Sequence, residues 1–254
     1  LIDLHCHILP GVDDGPPDLI SSIEMARQAV SLGITHLFAA PHHLDGRYEN
    51  TKNNILNAIQ AFNQQLEQEQ IPLIVHSAQE LRIHRMLIQS IKSDEILTLD
   101  NNGSYLLVEL PFGEVPSYTQ EIVYELLLRG IIPIIVHPER NKGFLENKHL
   151  LQDLVQEGAL TQLTAGSILG RFGKKVKLFS EQLIEHHLIH FIASDAHNIS
   201  TRSFSLKEAY DAISKSFGVD RSFYFQENAE YLLRGQHPQI EKPVPIRKKY
   251  LGIF

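Results

Sequence analysis

Short apolar runs alternate with amphipathic stretches along most of this chain, and the apolar runs end on polar residues. One unit reads Ile23-Glu24-Met25-Ala26-Arg27-Gln28-Ala29-Val30, then Gly33, then Ile34-Thr35-His36-Leu37-Phe38-Ala39-Ala40. The first part repeats its apolar residues three and four apart, as one face of a helix does, and the last part is a strand-length apolar run. The unit recurs: 122–129 stops at Gly130 before 131–136, and 150–157 stops at Gly158 before 159–164. Glycine takes the left-handed conformation that closes many helices, so each of these glycines predicts a helix stop. Ser205, followed three residues later by Glu208, predicts a helix start through a capping box ahead of Ala209 and Ile213.

Further strands are predicted over 2–5, 73–77, 105–110 and 189–194, which brings the number to seven. Near-continuously apolar strands alternating with helices imply a parallel sheet covered by helices. An open doubly wound sheet binds its ligand at one crevice where strand order reverses. Here nearly every strand ends in a polar candidate, which suits a closed barrel whose strand ends converge on one mouth. The expected fold is therefore α/β, a TIM-like (β/α) barrel of seven strands in a single domain over residues 1–235. With 254 residues and 43% hydrophobic content, the chain is long enough for one such core. Residues 236–254, with Lys242, Pro243, Pro245, Arg247, Lys248 and Lys249, fall outside the repeat and read as a Pro-rich, basic C-terminal tail.

No run approaches the length of a membrane span, and residues 1–20 are polar and acidic rather than cationic and then apolar, so a cytoplasmic protein is expected. Cys6, the sole cysteine, has no internal disulfide partner, which fits a reducing compartment. The formal charge of −7 argues against a nucleic-acid partner, whose binding usually needs a clustered basic face.

The strand ends carry the chemistry. They read Asp3-Leu4-His5-Cys6-His7, Pro41-His42-His43, Gln79-Glu80, Val108-Glu109, Val136-His137-Pro138-Glu139-Arg140 and Ser194-Asp195-Ala196-His197. Alternate residues of a strand share a face, so His5 and His7, with Asp3, can point one way and hold a metal ion. That pair alone is weak. It gains force from Pro10-Gly11-Val12-Asp13-Asp14-Gly15, a turn-forming loop able to carry Asp14 back over the mouth. His42 follows a strand where the chain leaves the core, and its neighbour His43 reads as exposed. Glu80 and Glu109 end apolar runs where an unpaired carboxylate is costly to bury, and a cation offsets that cost. An ion pair with Arg82 or Arg85 is the competing explanation for Glu80. His137, Asp195 and His197 repeat the logic. The candidate ligands are therefore His5, His7, Asp14, His42, Glu80, Glu109, His137, Asp195 and His197. His36, His76, His84, His149, His186, His187, His190 and His237 are assigned no role.

Imidazole and carboxylate without thiolate suit manganese, iron or zinc better than calcium. Adjacent divalent ions lower the pKa of a bridging water and clamp phosphoryl oxygens, so in-line attack of hydroxide on phosphorus is the natural reaction. Three such ions, each adding two charges, would move the formal balance from −7 to about −1. Arg140 lies three residues after His137 and Arg202 five after His197, and both can fork onto phosphate oxygens. A cysteine phosphatase needs an arginine six positions after its thiolate, but Val12 stands there relative to Cys6. The chain also lacks a Gly-x-Gly-x-x-Gly run, a Walker loop and Gly-x-Ser-x-Gly.

Taken in order over residues 2–235, these motifs resemble the polymerase and histidinol phosphatase (PHP) superfamily. Within it, the loop with Asp14 and the His137-Pro138-Glu139-Arg140 run are similar to the CpsB/CapC-type, YwqE-like bacterial protein tyrosine phosphatases. The resemblance implies a distorted (β/α)7 barrel of the PHP type and manganese-dependent removal of phosphate from tyrosine. It implies a phosphotyrosine-containing partner, a bacterial tyrosine kinase that controls capsule or exopolysaccharide synthesis. It further implies two or three divalent ions, manganese first, with iron or zinc as alternatives. His5, His7, Glu80 and Asp195 would hold one ion, Glu80 would bridge to a second with Glu109 and His137, and Asp14, His42 and His197 would serve a third. Arg140, Arg202 and His137 would be the catalytic residues, the arginines gripping phosphate. Tyrosinate, whose conjugate phenol has a pKa of about 10, leaves readily without a strong general acid. The alternatives are a small-molecule phosphomonoesterase of the histidinol-phosphatase type, a PHP exonuclease that the negative charge disfavours, and a non-catalytic metal-binding regulatory protein. In the tail, basic residues beside Tyr250, Leu251, Ile253 and Phe254 offer the one route to an anionic membrane surface or a docked kinase, against the simpler expectation of a solvated segment.

Overall fold

Helix stops fall where the glycines place them. In the computed structural model, which describes residues 1–246, Gly33, Gly130 and Gly158 have φ of 82°, 74° and 118°. In chain order β1 (Ile2–Cys6) and α1 (Leu19–Ser31) are followed by β2 (His36–Ala39), β3 (His42–His43) and α2 (Lys52–Gln68). Next come β4 (Ile74–Ser77), β5 (Glu80–Arg82), α3 (Leu87–Lys92), β6 (Tyr105–Glu109) and α4 (Thr119–Leu128). The second half continues with β7 (Ile132–Val136), α5 (Lys142–Glu146), α6 (His149–Glu157), β8 (Leu160–Thr164) and α7 (Ala165–Ile168). It closes with α8 (Lys174–Glu185), β9 (Phe191–Ala193), α9 (Leu206–Phe217) and α10 (Val219–Leu233). Ser205 is the N-cap of α9 as expected, but its side chain makes no cap hydrogen bond, so the capping box does not form. Glu208 still lies in the first turn, where its charge favours the helix.

The strands form two parallel sheets, β1-β2-β4 and β3-β5-β6-β7-β8-β9. All seven predicted runs are strands, and β3 and β5 are two short additions. Each continues a predicted strand after a two-residue break, at Ala40-Pro41 and at Ala78-Gln79, and passes from the first sheet into the second. The breaks stay hydrogen-bonded: Ala40 N donates to Cys6 O at 2.9 Å, Ala78 N to Ala39 O at 3.0 Å and Glu80 N to Pro41 O at 3.0 Å. Both additions are too short and too polar to register as periodic apolar segments. At the other edge β9 reaches β1: Asp195 N donates to His5 O and His7 N to Ala196 O, each at 2.9 Å.

Alternation along β6 explains how the site is aimed. Leu106 and Val108 pack outward with Ile122 and Leu126 of α4, while Tyr105 and Leu107 face Ile134, Val136 and Phe191 in an inner cluster. Glu109 continues the Tyr105 and Leu107 side of the strand, so it emerges at the inner end. Fully burying one such Leu or Ile is worth roughly 1.5–3 kcal/mol, enough in sum to hold polar strand ends in place.

After α10 the chain does not simply enter solvent. Gln239 N donates to Asn228 Oδ1 at 2.8 Å, Val244 N to His186 O at 2.9 Å and Ile246 N to Gln152 Oε1 at 3.1 Å, and the Ile246 side chain is buried. The first half of the expected solvated tail is thus a docked strap. Arg247, Lys248, Lys249, Tyr250, Leu251, Ile253 and Phe254 lie outside the described residues. No helix among the described residues is long and apolar enough to cross a membrane.

His190, just before β9, is a buried neutral histidine. Thr161 N donates to its Nδ1 at 3.1 Å, and burial pushes its pKa from 6.5 down to about 3. The unfolded chain therefore takes up this proton more readily than the folded one, and stability falls as pH drops from about 6.5 toward 3. Urea unfolding of His190→Asn should show a shallower loss of stability between pH 6.5 and pH 5 than the parent, the difference reaching up to about 1.4 kcal/mol per pH unit. Equal slopes would show that another group carries the acid sensitivity.

Candidate metal centre

The C-terminal ends of the parallel strands deliver every candidate ligand to one place. His5 lies in β1 with His7 just beyond, His42 opens β3, Glu80 opens β5, Glu109 ends β6, His137 follows β7, and Asp195 and His197 follow β9. Register does part of the work, since His42 and Glu80 are direct neighbours across β3 and β5.

Glu80 is the hub. Its Oε2 lies 3.4 Å from His5 Nε2, 3.3 Å from His7 Nε2 and 2.9 Å from His42 Nδ1, and its Oε1 lies 2.8 Å from His137 Nε2. Asp195 Oδ1 stands 3.8 Å and 3.6 Å from the same two Nε2 atoms of His5 and His7. Glu109 is 3.9 Å from both His42 and His137. Asp14, carried back on its loop, places Oδ1 3.4 Å from His42 Nε2 and 3.2 Å from His197 Nε2. Three groups have ligand atoms close enough to share an ion: His5-His7-Glu80, His42-Glu80-Glu109 and His7-Asp14-His42-His197. His7 and His42 each belong to two of them, which the motif order alone does not convey.

The donor set fits divalent cations. His5 Nδ1 faces Gln162 Oε1 at 2.8 Å and His7 Nδ1 faces Asp13 Oδ2 at 2.6 Å. Each contact holds the Nδ1–H and aims Nε2 inward, where the two Nε2 atoms stand 3.1 Å apart beside the Glu80 carboxylate. Without positive charge that grouping is repulsive. Buried polar atoms rarely lack partners, yet His197 Nε2 makes no hydrogen bond here, nor do Glu80 Oε2 and His42 Nδ1, although those two stand 2.9 Å apart.

Protonation follows the same field. Burial pushes the His7 imidazole down, but Asp13 and Glu80 outweigh it and lift its pKa to about 9; for His42, Glu80 and Asp14 overcome burial and lift it to about 11. Protons on these rings occupy the role of a cation, and a bound metal ion would displace them. His137 and His197 lie lower, each at about 4, the first through burial and Arg140, the second through burial and His7. Burial, with Glu80 beside it, raises Glu109 to about 7. Asp195 is held well below the usual carboxylate range, against its burial, by Arg140, His5 and Arg202.

Both candidate arginines reach the centre through Asp195. Arg140 Nη2 lies 2.8 Å from its Oδ2, and Arg202 Nη2 lies 3.2 Å and 3.1 Å from its two oxygens. Arg82 does not pair with Glu80; it bonds Glu109 at 2.8 Å, while Arg85 stacks on Tyr118. His43 is buried rather than exposed, and it pairs with Leu81 in the β3–β5 ladder.

Supporting residues escape the strand-end reading. Asp13 holds His7 and also accepts from Gly15 N at 2.9 Å and His42 N at 3.2 Å, so it ties the loop to two strands. Gly15 makes that approach possible, since a Cβ there would stand 2.6 Å from His7 O. Gln162 sits in the middle of β8, whose end at Thr164 supplies none of the candidates, and no signal singles it out. Glu139, fully buried, accepts from Thr164 N at 3.1 Å and Ser167 Oγ at 2.6 Å and so anchors the turn that carries Arg140. His137 and Asp195 adopt φ of 39° and 53°, a left-handed geometry that costs a non-glycine residue on the order of 1–3 kcal/mol and turns both side chains at their strand ends. A separate cavity of about 320 Å³ lies at the opposite strand ends, around Ile2, His36 and Tyr210, away from all these groups.

Parallel strands whose C-terminal ends gather imidazoles and carboxylates define an α/β protein with a candidate metal centre at one end of its sheets. A solved histidinol phosphate phosphatase of Lactococcus lactis, described with zinc, L-histidinol and phosphate bound, shares the fold at TM-score 0.53 and 11% identity, over 87% of this chain and 93% of that one. More narrowly, this chain belongs to the CpsB/CapC family of capsular polysaccharide synthesis, which it matches over residues 1–234. It is 46% identical to the tyrosine-protein phosphatase YwqE of Bacillus subtilis (strain 168), with 100% of both chains aligned, and 39% identical to CapC of Staphylococcus aureus, again over 100% of both. The solved structure of YwqE, described with CpsB of Streptococcus pneumoniae as metal-dependent tyrosine phosphatases, superposes with TM-score 0.94 over 98% of this chain and 100% of that one.

Outer-layer partners of metal-binding histidines typically set affinity by about 10–100-fold. Asp13→Asn should therefore weaken the binding of an added divalent cation by about that factor in calorimetric titration while the far-ultraviolet spectrum stays unchanged. An unaltered isotherm would mean that Asp13 does not orient His7 for a metal.

Proposed function

We propose that this protein is a metal-dependent phosphoric monoester hydrolase that removes phosphate from tyrosine in a protein substrate, a bacterial tyrosine kinase of capsule or exopolysaccharide synthesis. The observation that carries the proposal is the meeting of an imidazole–carboxylate cluster with two arginines on one carboxylate, Asp195. The 46% identity to YwqE across both chains supports the phosphotyrosine specificity.

We read the two sheets as arcs of one distorted seven-stranded barrel. The kinked tracks β2–β3 and β4–β5 and the hydrogen bonds from Asp195 N to His5 O and from His7 N to Ala196 O support that reading. His5, His7, Asp14, His42, Glu80, Glu109, His137, Asp195 and His197 would hold two or three divalent ions; this donor set suits manganese, iron or zinc, and the family resemblance puts manganese first. A cytoplasmic location accords with the single buried thiol of Cys6.

Divalent ions bound there supply Lewis acidity toward water and toward phosphoryl oxygens. The chain's own part is to seat the phosphate. Arg140 is nearly buried, and its Nε has no partner, so it keeps a desolvated donor for a phosphate oxygen. Arg202 is about one-third exposed and approaches from the rim, where it can follow substrate in and out. Two guanidinium groups so placed favour the doubly charged ester and the charge that builds on its oxygens. His137, kept neutral by burial and Arg140, turns its Nε2 to Glu80 Oε1 at 2.8 Å, and a bound ion would take the place of the proton held there.

Manganese-loaded protein should hydrolyse a phosphotyrosyl peptide with a higher kcat/KM than histidinol phosphate, and a reversed preference would refute the assignment. Arg140→Ala should lower kcat/KM for the peptide by about 10²–10³-fold while manganese stoichiometry is retained. Unchanged hydrolysis in both Arg140→Ala and His137→Ala would place the chemistry elsewhere in the molecule.

A further inference from the structure

Two phenyl rings stand in the open beside the buried Arg140. Phe112 is 56% and Phe172 38% exposed, and their ring centroids lie 5.8 Å and 5.0 Å from the Arg140 Cζ. They come from unrelated parts of the chain, Phe112 from the loop after β6 and Phe172 from the connection between α7 and α8.

Both loops are fixed where they present these rings. Asn141 Nδ2 donates to Pro111 O at 2.8 Å and to Glu114 O at 2.9 Å, and Lys142 N donates to Phe112 O at 3.1 Å. Next to these bonds, a Cβ on Gly143 would stand 2.8 Å from Val115 N, so the loop and α5 are in backbone contact. On the other side Arg171 N donates to Gly166 O at 2.9 Å, and a Cβ at Gly166 would stand 3.2 Å from the Phe172 ring. Little chain entropy remains to be lost when a ligand meets either ring, which is what a preorganised contact requires.

We infer that Phe112 and Phe172 form a ring subsite that selects aromatic phosphate esters, holding the phenyl ring of a phosphotyrosine whose phosphate rests on Arg140. The inference rests on the phosphotyrosine reading above and supplies its specificity determinant. A guanidinium binds phosphate through its edge and aromatic rings through its faces, so the two contacts do not compete. Aromatic pairs are favourable at centroid separations of about 4.5–7 Å, and a phenyl ring one ester bond from a phosphate on Arg140 falls within reach of both side chains. An alkyl phosphate would gain nothing comparable.

The rings could instead serve only to hold the Arg140 guanidinium, and the test separates these roles. Manganese-loaded protein is titrated calorimetrically with phenylphosphonate and with methylphosphonate, which carry the same anion with and without the ring. The parent should bind phenylphosphonate more tightly. Phe112→Ala and Phe172→Ala should each weaken phenylphosphonate by about three- to tenfold, and the double variant should erase the preference, with methylphosphonate affinity kept within about twofold. Equal losses for both probes would assign the rings to Arg140 alone and overturn the inference, as would a preference that survives in the double variant. A ring preference lost in the variants, in a parent that does not hydrolyse phosphotyrosyl peptide, would refute the function and leave the subsite standing. Peptide hydrolysis without any ring preference would refute the subsite alone.

Discussion

Glu80 has no exposure to solvent, and four imidazoles, those of His5, His7, His42 and His137, press on its two oxygens. A carboxylate taken out of water this completely must be repaid in positive charge, and removing the partner of a buried charge typically costs about 3–5 kcal/mol. The surrounding architecture answers that demand. Protons favoured on His7 and His42 offset part of the negative charge of the cluster, and Arg140, Arg202 and Arg82 offset more from its rim. A centre that draws protons against the effect of burial is one that divalent ions can enter by displacing them.

The breaks in the strands serve this centre. Passing from β2 to β3 and from β4 to β5 moves the chain from one sheet to the other, and the shift sets His42 directly across from Glu80. The left-handed turns at His137 and Asp195 do the same for two further side chains at a cost in local stability. Hydrogen bonds beyond the cluster keep those turns in place: Glu139 ties one to α7, and the Asp3 carboxylate receives Ser194 N at 2.9 Å beside the other. Strain at the mouth is thus balanced by an apolar interior that has no part in the chemistry.

Around this rigid centre the rim differs in character from side to side. Arg202 and Asp14 are partly exposed and polar, whereas Phe112 and Phe172 present apolar surface beside Arg140. That division suits a ligand with a charged end and an aromatic body, and the pinned loops present it without rearrangement.

Much of this was legible along the chain because it is local. Seven apolar runs, glycine helix stops and the polar residue at each strand end are encoded by neighbours a few positions apart, so periodicity and spacing reveal them. Eight of the nine ligand candidates lie at or just past strand ends for that reason, and Asp14 is brought to them by its loop. Tertiary packing alone decided the rest. Asp3 meets Ser194 and His5 meets Gln162 across most of the sequence, and no spacing rule links residues so far apart. Arg82 chose Glu109 over Glu80 because β5 and β6 lie side by side with those two in register. The docking of residues 236–246 likewise depends on amides and carbonyls offered by helices far upstream. Sequence by itself determined which groups reach the ends of the strands; only the folded sheets, through register and burial, decided which of them face one another and what charge they must share.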